Sequence, residues 1–372
     1  NLSPLWTVSY LWEDRHLLIK YLGSKRILIP AIERVLGELP DCRSVLDLFS
    51  GTSRVGKALK ATGWRVFLND WNHYAHTLAV AHVVFDKERL DEVTPVLEHL
   101  RSSKPIDGWF TETYCRQSRY FTPENGARIE GIREEIEKLD LDDELRCVAL
   151  TALMEAADRV DSTVGVQMAF LKKWAARALQ PLQLRDPDPV PRSQHGKAEA
   201  HRLEAREAAS RLSADVAYLD PPYNQHKYLG NYHVWETLVR WDQPEVYGIA
   251  CKRIECRQRR SDFNSKPGIQ RAMEQLVEIP DCRYLLVSFN NEGYLDRAEM
   301  EQLLSTRGTV TVLSRDHPRY VGAKIGIHNP QGRKVGQVSH LKNTEYLFLV
   351  GDVEIADTVL ESVGLTREQP VL

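Results

Sequence analysis

Two short apolar runs, joined by a glycine turn and one helical stretch, constrain the fold of this chain more than any other feature. Residues 44–49, SVLDLF, run into the turn residues SGTS; the helical residues 54–60 follow, and residues 64–70, WRVFLND, close the unit on Asn69-Asp70. Strand, glycine turn, helix, strand and acid make the opening of a nucleotide-binding βαβ unit. Gly51 stands where the first strand turns into the helix. Without a Cβ it lets backbone amides come close to a bound nucleotide or carboxylate, and the helix N-terminus favours negative charge. Asp70, at the end of the second run, suits acceptance of hydrogen bonds from both ribose hydroxyls of an adenosyl group. Taken alone, one glycine marks many α/β turns, and Asn69-Asp70 reads equally well as an Asx turn before a helix.

The second constraint is AYLDPPYNQHKY, residues 217–228, in which an apolar strand stops at a carboxylate, two prolines and an aromatic ring. Consecutive prolines supply no backbone donors and fix φ, so they end a strand and hold their neighbours in one stiff path. A carboxylate held there, beside a proline carbonyl, can accept both protons of an exocyclic amine. Such bonds keep the nitrogen lone pair out of its ring and free to attack an electrophilic methyl in line. Asp220 and the carbonyl of Pro221 suit those parts, Pro222 stiffens the path, and Tyr223 suits stacking on an extruded base. The plainer alternative is a strand terminator with Tyr223 as a core ring.

Further strand character appears at residues 215–219, 282–289, 310–313 and 345–350, whereas residues 86–173 follow helical periods. Thr122 before Pro123 reads as a cap with proline at the first helical position, leading into ARIEGIREEIEKL, and a second helix fits DDELRCVALTALMEAADRV. The proline-rich residues 181–195 read as an irregular connection. These elements predict an α/β fold in two parts: a catalytic domain of residues 1–85 and 196–372, and a helical insertion of residues 86–195. The net charge of −3 does not mark a general polyanion binder, so any DNA contact must be a local patch. Six scattered cysteines with no CxxC pair argue against a zinc knuckle or disulfide framework. No metal is expected, because the histidines that follow residues 220–223, His226 and His233, read as packed or hydrogen-bonded residues without a carboxylate or cysteine partner at ligand spacing. The absence of a long apolar run or a leader pattern in residues 1–16 predicts a soluble, cytoplasmic protein away from membranes.

KYLGSKRILIPAI (20–32), DLFSGTSRVG (47–56), LND (68–70) and DPPYNQHKYLGNYHVWETL (220–238) occur in an order that resembles the D12 class of DNA adenine methylases, the Dam-like alpha group. Residues 121–136, 156–174 and 288–295 also resemble blocks of that family, so the likeness covers most of the chain. The resemblance implies a Rossmann-like, S-adenosylmethionine-dependent methyltransferase sheet with an inserted helical target-recognition region. It further implies site-specific methyl transfer to the N6 amine of a flipped adenine in double-stranded DNA, by a restriction-modification enzyme with a cognate endonuclease or by an orphan. By matching position, Lys20, Tyr21, Gly23, Ser24 and Lys25 would approach the methionine end of the cofactor. Asp47, Phe49, Ser50 and Gly51 would line it, Asp70 would hold its ribose, and Glu204 is the candidate for its adenine amine. Two departures stand out. Ser53 occupies a place that is usually glycine in the family's turn, and Asp161 one that is commonly asparagine.

The run CKRIECRQRR, residues 251–260, concentrates Lys252, Arg253, Arg257, Arg259 and Arg260 against Glu255 and suits a phosphate clamp, though a solvated charged turn has the same composition. Lys172, Lys173, Arg177 and Arg185, with Arg116, Arg119 and Arg128, are dispersed over the insertion. Two other functions fit parts of the pattern. Cytosine N4 is also an exocyclic amine, although Asp at position 220 favours adenine, and a non-catalytic DNA-binding subunit would be expected to have lost Asp220, Tyr223 or the glycine turn.

Overall fold

The computed structural model describes residues 19–23, 25–318, 327–328, 334–336 and 342–371. Ser24, the opening residues and most of the segment 317–330, which the sequence suggested as a loop near DNA or a hairpin connection, lie outside the described residues. The chain divides into two compact units: Asn1–Pro30, Arg43–Ala208 and His226–Arg260 make the first, and Ala31–Cys42, Ala209–Gln225 and Ser261–Leu372 the second.

In the first unit, β1 (Ser44–Asp47) pairs in parallel with β2 (Arg65–Asn69), Val45 opposite Val66 and Asp47 opposite Leu68. On its other edge β2 takes β3 (Glu199–His201), again in parallel. β1 is apolar on successive residues instead of alternating, as expected of a strand covered on both faces. β3 has no apolar run, and only its pairing to β2 makes it a strand. The helix Arg54–Ala61 connects β1 to β2.

The helices Pro123–Lys138 and Asp143–Arg159 begin where their caps predict. The Thr122 side chain accepts from the Asn125 amide at 3.3 Å and that of Asp142 from the Leu145 amide at 2.9 Å, each satisfying an amide that the first turn leaves without a helical partner. Phe110, Tyr114, Phe121, Ile132, Leu153, Trp235 and Leu238 share one buried core. Each such side chain contributes roughly 1.5–3 kcal/mol by leaving water. Two charged groups inside this core are bonded. The fully buried Arg133 donates to the carbonyls of Leu238 and Val239 at 2.6 and 3.0 Å, and Glu130 accepts from the amides of Gly108, Phe110 and Thr111. A small antiparallel hairpin, β5 (Val246–Tyr247) and β6 (Lys252–Arg253), completes the strands of this unit.

The second unit is built on β4 (Val216–Leu219) and β7 (Tyr284–Asn290), which are parallel and buried at every residue. β11 (Lys342–Val350) runs antiparallel to β7 on one side and to β8 (Val310–Pro318) on the other, and β12 (Thr366–Arg367) adds to β8. β8 and β11 extend beyond the apolar residues that announced them. Their continuations are polar and are held in strand form by pairing with each other, down to Lys342 opposite Pro318. β9 (Ile327–His328) pairs with β10 (Lys334–Gly336). Among the described residues no helix is long and apolar enough to cross a membrane.

Candidate active site and cofactor site

The ends of β1, β2 and β3 are tied into one edge of the first unit. The Asn69 amide side chain donates to the carbonyls of Leu48 and Leu203 and accepts from the Leu203 amide, and the Ser50 amide donates to the Asn69 carbonyl at 2.9 Å. The loop between β1 and the helix Arg54–Ala61 is left-handed twice. Gly51 has φ +51°, and a Cβ there would stand 3.3 Å from the Tyr21 ring. Ser53 has φ +58° and is fully buried, so the serine that replaces the family's usual glycine still adopts the glycine conformation, at a cost of about 1 kcal/mol. The buried hydroxyls of Ser50 and Ser53 have no hydrogen-bond partner among the described residues.

Asp70 closes this edge. Its Oδ2 accepts from the Gly51 amide at 3.1 Å, and its Oδ1 accepts from the Asn72 amide and side chain at 2.9 and 3.0 Å. Burial pushes the Asp70 carboxyl up from its ordinary range, against the pull of these donors and of the Arg259 charge. Asp47 and Ser50 are buried in the same loop, and Phe49 is half-buried.

Residues 20–23 lie against a stack of tyrosines. The Tyr21 ring is nearly parallel to Tyr228, with centroids 5.2 Å apart, and to Tyr232, at 4.6 Å, and its hydroxyl meets that of Tyr74 at 3.3 Å. Gly23 has φ +73°, and a Cβ there would lie 2.9 Å from the Tyr228 hydroxyl, so a larger residue would have to displace that ring. Lys25 is buried in a short 3₁₀ turn, and Ser24 is outside the described residues. The ammonium of Lys20 donates to the Asp158 carbonyl at 2.5 Å and to Asp161 Oδ1 at 2.9 Å. Asp161 also accepts from Arg177 at 2.7 Å, so the carboxylate in place of the usual asparagine gathers two cations and engages Lys20 with the helical region. Glu204 is half-exposed, and its carboxylate accepts from the Arg206 amide at 2.9 Å in the first turn of the helix Ala205–Arg211, as a cap does.

In the second unit, fully buried β4 delivers Asp220, half-buried, into Pro221, Pro222 and Tyr223. Tyr223 is held at three points. Its hydroxyl accepts from Asn290 Nδ2 at 2.8 Å, its carbonyl from the Tyr294 amide at 2.9 Å, and its ring lies 5.1 Å from that of Phe289. The Asn224 carbonyl accepts from Asn264 Nδ2 at 2.8 Å. Residues 288–295, noticed in the sequence only as a family-like block, thus form the support of the Asp-Pro-Pro-Tyr loop. Tyr223 is a braced ring at a strand end, and Leu219 beside it pairs with Val287 in the parallel ladder.

The basic run divides into separate roles. Arg253 is 2% exposed and forked onto Asp242, with two bonds of 2.7 Å, and onto Glu255 at 2.7 Å. Its assignment to a phosphate clamp is corrected: a guanidinium paired twice below the surface is a structural cross-link of the hairpin, and extracting it would strand two carboxylates. Arg259 lies over the Trp71 ring at 3.7 Å and donates to Asn72, and so belongs to the edge of Asp70. Arg257 is exposed above the Tyr247 ring at 3.7 Å, Arg260 is exposed and Lys252 is half-buried. Within the helical region Arg116 pairs with Asp107, Arg128 donates to carbonyls of residues 100–103 and Arg177 pairs with Asp161, while Lys172 and Lys173 are exposed.

A glycine turn with a strand-end acid in one unit, and an Asp-Pro-Pro-Tyr loop braced at the end of a buried strand in the other, define an α/β amino-methyltransferase. Residues 21–302 match the D12 class N6 adenine-specific DNA methyltransferase family, and the chain belongs to it. It is 28% identical over 335 residues to Type II methyltransferase M.NlaIII of Neisseria lactamica, covering 87% of this chain and 98% of that one. It is 30% identical over 309 residues to Type II methyltransferase M.FokI of Planomicrobium okeanokoites and 27% identical over 327 residues to modification methylase StsI of Streptococcus sanguinis. These alignments cover 78% and 82% of this chain but 47% and 50% of those longer proteins. The protein is therefore an S-adenosylmethionine-dependent, sequence-specific adenine methyltransferase of DNA, with a Rossmann-like fold.

Proposed function

We propose that Asp220 and the Pro221 carbonyl accept the two N6 protons of an adenine swung out of the duplex, with Tyr223 stacked on the base and Pro222 stiffening the loop. The observation that carries this reading is the three-point hold on Tyr223, which fixes the loop before any substrate arrives. Preorganisation of this kind lowers the barrier because no reorganisation remains at the moment of reaction. Asp220 would orient the nitrogen lone pair and offset the positive charge that the amine gains on alkylation, until its surplus proton leaves to water.

S-adenosylmethionine supplies the electrophilic methyl when bound. The β1–β2 edge fits it: Gly51 has no side chain to cover the turn, Ser50 and Ser53 have hydroxyls without a partner among the described residues, and Asp70 keeps lone pairs for ribose hydroxyls. Tyr21, Gly23 and Lys25 would meet its methionine end, with Asp47 and Phe49 along its length. Residues 86–195 would read the target sequence, and Lys252, Arg257 and Arg260 would meet phosphates. The names of its relatives, Type II methyltransferase and modification methylase, support a modification enzyme; in this reading it would act beside a cognate endonuclease in the cytoplasm.

The test is methyl transfer from labelled S-adenosylmethionine to mixed-sequence duplex DNA, with nucleoside analysis of the product. Label should appear as N6-methyladenine with the native enzyme and fall to background with Asp220→Ala, while both proteins still bind S-adenosylhomocysteine. Turnover retained by the variant would remove Asp220 from the mechanism.

A further inference from the structure

We propose that Arg259, which composition alone places in a DNA-binding run, is a positioning residue of the cofactor site: through Asn72 it fixes the ribose acid Asp70. The inference rests on the reading of Asp70 as the ribose-binding group and adds the means by which it is held.

The chain of contacts is continuous. Arg259 Nη1 donates to Asn72 Oδ1 at 3.0 Å. Asn72 Nδ2 and its backbone amide donate to Asp70 Oδ1 at 3.0 and 2.9 Å, and the Gly51 amide donates to Asp70 Oδ2 at 3.1 Å. A guanidinium has donors and no acceptor. Arg259 therefore settles which way the Asn72 amide faces, since its oxygen must turn to the arginine and its NH₂ to the carboxylate. Without the guanidinium the Asn72 oxygen loses its anchor, so the amide is free to swing away from Asp70 and the acid that should accept ribose hydroxyls loses a fixed donor.

Arg259 is itself fixed. Its guanidinium lies 3.7 Å over the Trp71 ring, and its carbonyl accepts from Lys227 Nζ at 3.2 Å. A guanidinium stacked on an indole and hydrogen-bonded at one edge has lost the freedom that a surface phosphate contact keeps. Its charge also favours the ionised form of Asp70 in a place where burial works the other way. The neighbouring Arg257 and Arg260 have no such tie to the acid, so one run of sequence serves two ligands.

The experiment is calorimetric titration of S-adenosylhomocysteine into the full chain, native and with Arg259→Gln, Arg259→Lys, Asp70→Asn and the double substitution Asp70→Asn/Arg259→Gln. Duplex DNA binding is measured in parallel across a range of salt. Arg259→Gln should weaken S-adenosylhomocysteine about tenfold, by loss of one charge-assisted hydrogen bond and its orienting effect. Arg259→Lys should recover part of that loss. The double variant should bind no worse than Asp70→Asn alone, and the slope of log K against log salt for DNA should stay at the native value. Unchanged affinity in Arg259→Gln, losses that add with those of Asp70→Asn, or a salt slope shallower by about 0.9, one phosphate contact, would each overturn the assignment. If the native protein binds no S-adenosylhomocysteine, the cofactor reading falls and this inference falls with it; native binding matched by Arg259→Gln sinks the inference alone.

Discussion

The loop after β1 and the loop after β4 both take a parallel strand to a chemical group, and they are made rigid by opposite means. The glycine turn depends on its main chain: two left-handed residues, Gly51 and Ser53, and the Gly51 amide aimed at a carboxylate. The Asp-Pro-Pro-Tyr loop depends on its side chains: two prolines, a ring against Phe289 and a hydroxyl on Asn290. A cofactor recognised by its ribose and carboxylate needs a surface of bare amides, which side chains would cover. A nucleophilic amine needs two acceptors and one ring held still, which a carboxylate, a proline carbonyl and a braced aromatic side chain can supply. Substitution should therefore hurt cofactor affinity at the first loop and turnover at the second.

The largest effect should come from Asp220→Ala. Loss of an acceptor that acts on the reacting nitrogen should lower kcat by roughly 10³-fold, within the range seen for positioned acid–base groups. Single-turnover rates and S-adenosylhomocysteine affinity, measured on the same preparation, separate the two loops; an equal fall in both would mean that the side-chain loop also builds the cofactor site. A smaller break on the same side is Asn290→Ala. It removes the donor to the Tyr223 hydroxyl but leaves the ring on Phe289 and the carbonyl on Tyr294, so kcat should fall about tenfold, the equivalent of one hydrogen bond of about 1.4 kcal/mol. Native turnover in Asn290→Ala would show that the ring contact and the Tyr294 amide bond suffice to brace the loop.

How far these loops were legible in the sequence follows from the same difference. Gly51, Asp70 and Asp220-Pro221-Pro222-Tyr223 announce themselves, because each lies at a change of pattern and has a residue type with a specific backbone or acceptor use. β1, β2, β4, β7 and the capped helices Pro123–Lys138 and Asp143–Arg159 were readable from apolar runs and caps. β3 was not, because Glu199, Ala200 and His201 have no pattern of their own and become a strand only by lying beside β2. The braces were also hidden. Asn290 and Trp71 act across long sequence separations, and Asn72, though two residues from Asp70, is itself tied to Arg259 far along the chain, so nothing local distinguishes these braces from surface residues. The basic run hides a related difference: composition counts charges, whereas the fold pairs Arg253 with carboxylates and brings Arg259 to the Asn72 amide.

Ser53→Gly tests the main-chain loop with the smallest expected effect. At φ +58° the serine costs about 1 kcal/mol that glycine would not. Glycine loses more entropy on folding and returns about 0.5–1 kcal/mol of that gain. The Ser53 hydroxyl, however, is buried without a partner among the described residues, and its removal relieves a desolvation cost of about 1 kcal/mol or more. The sum is a stabilisation of about 1 kcal/mol, or about 2 °C in Tm for a chain of this size. Melting curves with and without S-adenosylhomocysteine then report on two separate things. A higher Tm for the free protein together with a smaller ligand-induced rise would mean that the serine hydroxyl is held in waiting for the cofactor, at the expense of the empty loop. A higher Tm with an undiminished rise would leave the hydroxyl without a role and assign cofactor recognition in this turn to the backbone. A lower Tm in the free protein would contradict the strain itself, and with it the contrast between a loop held by its main chain and one held by its side chains.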